Sequence, residues 1–414
     1  MLTAIVLRIL WVAYVNVDPS DGRFDDSVFY QRVALALADR ASYLDPYGRG
    51  PTAQWPPAYP AALAVLYKLF GFHLLLAKGL NIAFGAVTVV LAYILARRVF
   101  DWRVASLGAF FLAFFPGQIF FATIVYAETM FAAVFLLVLV LALVWTLEGD
   151  RSRWWQVLLI GFLIGVAALV RAEGIFLAFV LVGLWALLVR PWRTVGRYAV
   201  MLAIGVVLAL TPWTVRNAVE FHEFIPIRTN SVNAVARAID VEFDGPVVVG
   251  ESEPRSIREG LQYQLTHPWR VVATAAIKVG RLYRHDYSGI RFVLKNPISE
   301  FDRDEQPLTE REEMFWRGLT DRYFYAASAA AVVAIVLAVL RRNRASLVII
   351  AAIFGWTFFF SFFTPVTRYH FPLMPLFAVL SASVLVLVWD WAKVGWRLQL
   401  IRAKVLRQDI PEIR

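Results

Sequence analysis

Ten apolar blocks, each close to the length that crosses a bilayer, punctuate this chain: residues 2–17, 80–96, 105–124, 129–147, 155–170, 175–189, 198–213, 325–340, 347–363 and 371–391. A hydrocarbon core about 30 Å thick is spanned by about 20 apolar residues of helix. Inside lipid, only helices and closed barrels satisfy their own backbone polar groups. Blocks of this kind therefore predict an all-α polytopic membrane protein with about ten transmembrane helices. Composition agrees: 60% of the 414 residues are hydrophobic and only 17% are charged, where a soluble domain carries about 25%. A soluble enzyme, a disulfide-stapled secreted domain and a disordered chain are excluded. With no cysteine in the chain, thiol redox chemistry and thiolate zinc sites are excluded as well.

The charge balance sorts the connections. Lys plus Arg is 41 and Asp plus Glu is 31, a formal excess of +10. In a soluble protein that excess would suggest nucleic acid; here it follows the positive-inside rule, and no nucleic-acid partner is expected. Arg97, Arg98 and Arg103 cluster after one block, then Arg151 with Arg153, Arg190 with Arg193 and Arg197, and Arg341 with Arg342 and Arg344. Alternate connections hold the lone arginines Arg171, Arg216 and Arg368. The clustered connections are read as cytoplasmic and the others as external. That parity makes the chain a multi-pass plasma-membrane protein with both termini cytoplasmic. The first block lacks a basic leader and a small-residue cleavage site, so it reads as a span and not a signal peptide.

The apolar stretch 59–72 is short, follows Pro56 and Pro57, and carries Lys68. Were it a crossing, every later basic cluster would fall outside, so it reads as a juxtamembrane or re-entrant helix. The expected organisation is a transmembrane core over 1–217, with a first external loop at 18–58 and the re-entrant segment at 59–72. An external segment follows over 218–322, then C-terminal spans over 323–391 and a basic cytoplasmic tail over 392–414. Within the external segment, 244–255 is polar and turn-rich, and 268–287 is amphipathic. That amphipathic stretch fits either a helix on the bilayer surface or a wall of an active-site cavity.

Several polar residues break the apolar pattern on the external side. Asp25 and Asp26 start a helix-like run, where free backbone donors and the helix dipole favour negative charge. They read either as an N-cap or as catalytic carboxylates. Glu128 opens a span, which would bring a second carboxylate into the same outward cavity. Arg171 begins a short Arg-Ala-Glu-Gly turn that includes Glu173; Arg216 and Asn217 end a span; Arg368, Tyr369 and His370 precede the last one. Each arginine fits snorkelling or internal pairing. Three of them on the face opposite the basic clusters also fit a lipid phosphate, which guanidinium binds through two parallel hydrogen bonds. The histidines show no metal-ligand spacing. No Gly-rich phosphate loop, nucleophile elbow or HExxH motif occurs.

In this order the motifs resemble those of the GT-C glycosyltransferases, specifically the bacterial relatives of the dolichyl-phosphate-mannose–protein mannosyltransferases and aminoarabinose transferases. Those residues are Asp25, Asp26 and Tyr30 in the first loop, then Pro56-Pro57-Ala58-Tyr59-Pro60 and Glu128. Arg171–Gly174, Pro212–Asn217 and Arg368-Tyr369-His370-Phe371-Pro372 complete the set. Ser27 departs from it, standing where many relatives carry glutamate, and this leaves the base as either Asp25 or Asp26. The resemblance implies the GT-C fold, with juxtamembrane helices after the first span and one long external segment.

By that resemblance the chain is an inverting hexosyl- or pentosyltransferase on the external face. It would move a sugar from a polyprenyl-phosphate donor to a hydroxyl of an acceptor protein, lipid or glycan, among membrane lipids. Inversion needs one base opposite the leaving group, a role for Asp26, while Arg216, Arg171 or Arg368 would receive the phosphate charge. Glu128 would orient the acceptor or help to hold a divalent cation, the one cofactor the family suggests. Tyr30, Tyr59, Glu173, Asn217, Tyr369 and His370 would line the substrate. A transporter or flippase of lipid-linked sugars is the alternative from another functional class.

Overall fold

The computed structural model describes residues 1–15, 25–147, 152–189, 191–229, 265–266, 268–290, 308–363 and 366–408, as backbone only at residues 25, 270 and 394–408. The polar stretch 244–255 and residues 18–24 of the first loop lie outside the described residues. The chain is a multi-pass helical membrane protein. In order the helices are α1 (Leu2–Val15), α2 (Asp25–Arg40), α3 (Ala58–Phe70), α4 (Leu74–Val99), α5 (Trp102–Ala113), α6 (Pro116–Phe120) and α7 (Glu128–Ala142). They continue with α8 (Trp154–Val170), α9 (Phe176–Leu188), α10 (Trp192–Phe221), α11 (Pro268–Leu282), α12 (Glu310–Leu340), α13 (Leu347–Phe362) and α14 (Met374–Gln408). Single 3₁₀ turns at Ala172–Ile175 and Thr367–Leu373 lead into α9 and α14.

Five described segments are long and apolar enough to cross a membrane: Leu74–Val99, Glu128–Leu147, Trp192–Phe221, Glu310–Leu340 and Thr367–Lys393. Six further apolar helices are 10 to 17 residues long, α3 among them. At 1.5 Å per residue the 13 residues of α3 extend about 20 Å, short of the roughly 30 Å core. One block departs from expectation. Residues 105–124 are not one span: α5 stops at Ala113, and α6 holds only five residues. The cause is Pro116. Its ring disfavours helical backbone at the residue before it, and Phe115 is accordingly extended (φ −68°, ψ 111°). The chain from Phe121 to Ala127 then runs without helix to the start of α7.

Burial ranks the spans. In the segments that begin at Glu128 and at Thr367, 67% of the most apolar window is buried, against 22% in α10 and α12. The first two are the centre of the bundle and the last two face lipid. Between α8 and α10 the packing depends on small residues: a Cβ added to Gly161 would come within 2.1 Å of the Leu202 carbonyl oxygen, and one on Gly205 within 2.1 Å of that of Leu158. This close approach suits a membrane, where tight van der Waals packing replaces the hydrophobic drive between helices. It fixes the end of α8, and so Arg171. Midway along α14, Arg103 meets Asp390 through two hydrogen bonds of 2.6 and 3.0 Å and ties that helix to α5.

The first loop folds onto the same end of the bundle as Arg171. Helix α2 packs against α3, with Tyr30 edge-on to Tyr59 at 5.2 Å. A bridge between Leu44 and Pro51 closes the turn that follows α2. Of the amphipathic stretch 268–287, α11 forms the first 15 residues and packs on α13 and on the Thr367–Leu373 turn. It is fastened by Lys278, which donates to the Phe362 carbonyl at 3.1 Å, and by Tyr283 and Thr357, whose hydroxyls lie 2.6 Å apart.

Candidate active site

Five charged side chains, remote in sequence, meet in one alternating row. Asp26, in the first turn of α2, forms an ion pair with Arg368, its Oδ2 lying 2.8 Å from Nη1. Arg368 Nε lies 3.7 Å from Glu128 Oε1. The same oxygen accepts from Arg171 Nη1 at 2.5 Å, and Arg171 Nη2 lies 3.5 Å from Glu173. All five are largely withdrawn from solvent; the Glu128 side chain is 2% exposed and that of Asp26 16%. Two guanidinium groups alternate with three carboxylates, so with every group ionised the row carries one net negative charge.

Local structure explains each position. The carboxylates stand at helix starts and turns: Asp26 near the N-terminus of α2, Glu128 as the first residue of α7, Glu173 in the turn between α8 and α9. There, free backbone N–H groups and the positive end of the dipole favour negative charge. The arginines lie over aromatic faces, Arg171 at 4.9 Å from the Tyr369 ring centre and Arg368 at 5.1 Å from that of Tyr126. Such stacking holds a guanidinium plane in place beside the carboxylates. Tyr30 is buried beside it: burial first, then the charges of Asp26 and Glu128, push its phenol well above the ordinary value, so it stays a neutral hydroxyl.

Among the residues expected at the site, Asp26, Glu128, Arg171, Glu173 and Arg368 come together, flanked by Tyr30 and Tyr369. Helix α2 begins with Asp25, whose side chain lies outside the described residues. Tyr59 sits one layer behind Tyr30 and donates to Asn81 Oδ1 at 3.1 Å. The hydrogen bonds of Arg216 go elsewhere: Nη1 donates to the Thr52 carbonyl at 2.8 Å and to Asn217 Oδ1 at 2.9 Å, and Nη2 to the Tyr43 carbonyl at 3.0 Å. It holds the turn after α2 in place. Asn217 is wholly buried and donates to the Ile225 carbonyl, closing the chain back on α10. His370 is also buried, between the Leu282 carbonyl at 2.7 Å and Asp286 Oδ1 at 2.8 Å.

Two contributors escape a sequence reading. Asn81, inside the apolar run of α4, accepts from Tyr59 and from Thr129 Oγ1 at 2.9 Å, and donates to the Ile124 carbonyl at 2.6 Å. It clamps the irregular chain that delivers Glu128. A lone asparagine in an apolar block was its only signal. Arg228, beyond α10, acts electrostatically on Glu173, and its Nε is buried with no hydrogen-bond partner among the described residues. As for a divalent cation, no group of three His, Asp or Glu side chains among the described residues is arranged to hold one.

Comparison with known proteins follows this geometry. The family model for dolichyl-phosphate-mannose–protein mannosyltransferases matches residues 54–215, a stretch with Tyr59, Glu128, Arg171 and Glu173 but neither Asp26 nor Arg368. No curated protein sequence matches. Among solved structures, ArnT from Cupriavidus metallidurans bound to undecaprenyl phosphate is 17% identical, with a TM-score of 0.56 over 96% of this chain and 62% of its own. The oligosaccharyltransferase AglB from Archaeoglobus fulgidus, in complex with an inhibitory peptide and a dolichol-phosphate, is 16% identical, with a TM-score of 0.57 over 100% of this chain and 52% of its own. The chain has the GT-C fold. It spans about three fifths of the length of ArnT and about half that of AglB. Within this GT-C chain, the charged row joins the first loop to the α7 start, the α8–α9 turn and the turn before α14.

Proposed function

We propose that this GT-C chain is an integral-membrane glycosyltransferase that moves a sugar from a polyprenyl-phosphate donor to an acceptor hydroxyl on the external face, with inversion. The observation that carries the reading is the Asp26–Arg368 pair at 2.8 Å, set in a row with Glu128 and Arg171. It joins a carboxylate able to take a proton to guanidinium groups able to take a phosphate. The placement of the carboxylates at helix ends, not mid-helix, supports a transferase over a transporter. A merely structural scaffold would have no need of Asp26 and Glu128 sharing one arginine.

In the proposed step the acceptor oxygen forms a bond to the anomeric carbon while its proton passes to Asp26. The bond from that carbon to the phosphate oxygen breaks, and the electron pair leaves with the phosphate. Arg368 and Arg171 receive the new charge, the type of preorganised stabilisation that does most when it is aimed at developing charge. The donor phosphate and Asp26 compete for the same guanidinium of Arg368, and displacement of Asp26 leaves its carboxylate free to face the acceptor. Donor binding thus precedes acceptor activation. Arg216 acts one step back, by holding the turn that follows α2.

The test is transfer in vitro from a panel of labelled polyprenyl-phosphate sugars. Asp26→Asn should lower turnover by about 10²–10⁴-fold, with donor binding retained. Transfer at the wild-type rate in that variant would remove Asp26 as the base.

A further inference from the structure

The face of α2 that carries Asp26 and Tyr30 continues around the helix to Ser27 and Gln31, one turn apart. Both are sealed from solvent, Ser27 at 0% and Gln31 at 2% exposure. Yet among the described residues Ser27 Oγ and both polar atoms of the Gln31 amide have no hydrogen-bond partner, and neither does Glu128 Oε2. The fold can satisfy a buried amide when the amide is structural. Asn81, equally buried, has its oxygen and its nitrogen both engaged. Buried polar atoms are almost always paired, so two such residues one turn apart on the helix that carries Asp26 call for their own explanation.

We propose that Ser27 and Gln31, together with Glu128 Oε2, form the subsite that hydrogen-bonds the hydroxyls of the transferred sugar. This rests on the transferase reading above and adds the residues that select the donor. The chemistry of the set favours hydroxyl groups. An amide and a hydroxyl each donate and accept, and a carboxylate oxygen accepts. An anion would call for cations and a cation for more carboxylate, whereas neutral groups of both senses match vicinal hydroxyls. A site built to pair with a hydroxyl discriminates strongly against the analogue lacking it, since its own buried groups are then left unpaired.

The experiment uses the full chain in lipid nanodiscs, with Gln31→Met and Ser27→Ala as apolar replacements of similar or smaller size. Probes are undecaprenyl phosphate alone, undecaprenyl-phosphate sugars, and the corresponding deoxy-sugar donors. In the binding arm, which needs no turnover, the wild type should hold the sugar donor at least about tenfold more tightly than the bare lipid phosphate, by the sugar's own hydrogen bonds. Both variants should erase that difference and leave affinity for undecaprenyl phosphate unchanged. In the transfer arm, kcat/KM for the hydroxylated donor should fall about 10–100-fold, and its advantage over the deoxy donor should shrink towards unity. The thermal midpoint of Gln31→Met should stay level or rise, because an unpaired buried amide has been removed. A wild type that binds the sugar donor no better than the lipid phosphate overturns the subsite. A variant that loses stability while keeping donor preference does so too, as does a loss that follows the acceptor instead of the donor. Normal sugar-donor binding with no transfer to any acceptor would instead count against the transferase reading.

Discussion

At the scale of single residues, Arg368 is the junction of the site. It contacts Asp26 at 2.8 Å and Glu128 at 3.7 Å, and it lies over Tyr126. Lysine cannot copy this. Its ammonium is a compact point charge without the planar fork that reaches two partners. Arg368→Lys should fold and should lose at least about tenfold in affinity for polyprenyl phosphate, measured by ligand-induced thermal shift. Arg368→Ala should go further, since two carboxylates remain buried without their partner, a change that costs about 3–5 kcal/mol for buried pairs. All five members of the row were legible in the sequence, because each breaks an apolar pattern at a helix end. What the sequence left open was their pairing. Arg216 was one of three arginines expected to meet the phosphate, and its donors serve the carbonyls of Tyr43 and Thr52. A side chain's partner is set by which backbone passes within about 3 Å of it, and no local pattern encodes that.

At the scale of elements, position is transmitted through irregular chain. Glu128 is held by the helix it starts and by the non-helical run before it, which Asn81 grips at the Ile124 carbonyl. Asn81→Leu would leave the hydroxyls of Tyr59 and Thr129 without their acceptor and the Ile124 carbonyl with the Tyr126 amide alone. An expected loss of about 2–4 kcal/mol, read from thermal unfolding of the detergent-solubilised protein, follows from the cost of stranded buried polar groups. The transfer rate should fall with it, more in kcat than in KM, because Glu128 would be displaced. The helical blocks themselves were readable from hydropathy. The interruption at Pro116 was not, since the apolar run continues through it; what ends α5 is a steric rule about the residue before proline and not a change in polarity. The short-range rule was visible in the sequence but outweighed there by the length of the block.

At the scale of the whole molecule, the segment 268–290 is tied to the site turn through several contacts, and the most buried of them centre on His370. His370 is two residues after Arg368 and bonds Asp286 beyond α11 at 2.8 Å, while the Asp286 amide donates to Asp321 Oδ1 at 2.9 Å. Burial raises the Asp286 carboxyl above the ordinary carboxylate range, although the hydrogen bond and charge of His370 act the other way. The folded chain therefore holds that proton more tightly than the unfolded chain, whose carboxyl titrates near ~3.9. This contribution to stability is complete below about pH 4 and is lost as pH rises through the elevated folded value. Asp286→Asn should flatten that slope in thermal unfolding followed across pH. Asp286→Ala, which strands the imidazole, should loosen α11 and speed its proteolysis.

The amino-acid sequence by itself determined the solvent and the helical class, and set the expectation for which face of the membrane carries the chemistry. Those follow from the length of apolar runs and the sign of the charges between them, both of which are local properties. Only the tertiary structure decided which arginine meets which carboxylate, that Arg216 braces a loop, and that Ser27 and Gln31 are buried without hydrogen-bond partners among the described residues. These depend on the close glycine packing of α8 on α10, on the break at Pro116 and on the fold-back of α2 against α3. Each brings together groups separated by tens to hundreds of residues, and only the packed bundle fixes the distances between them.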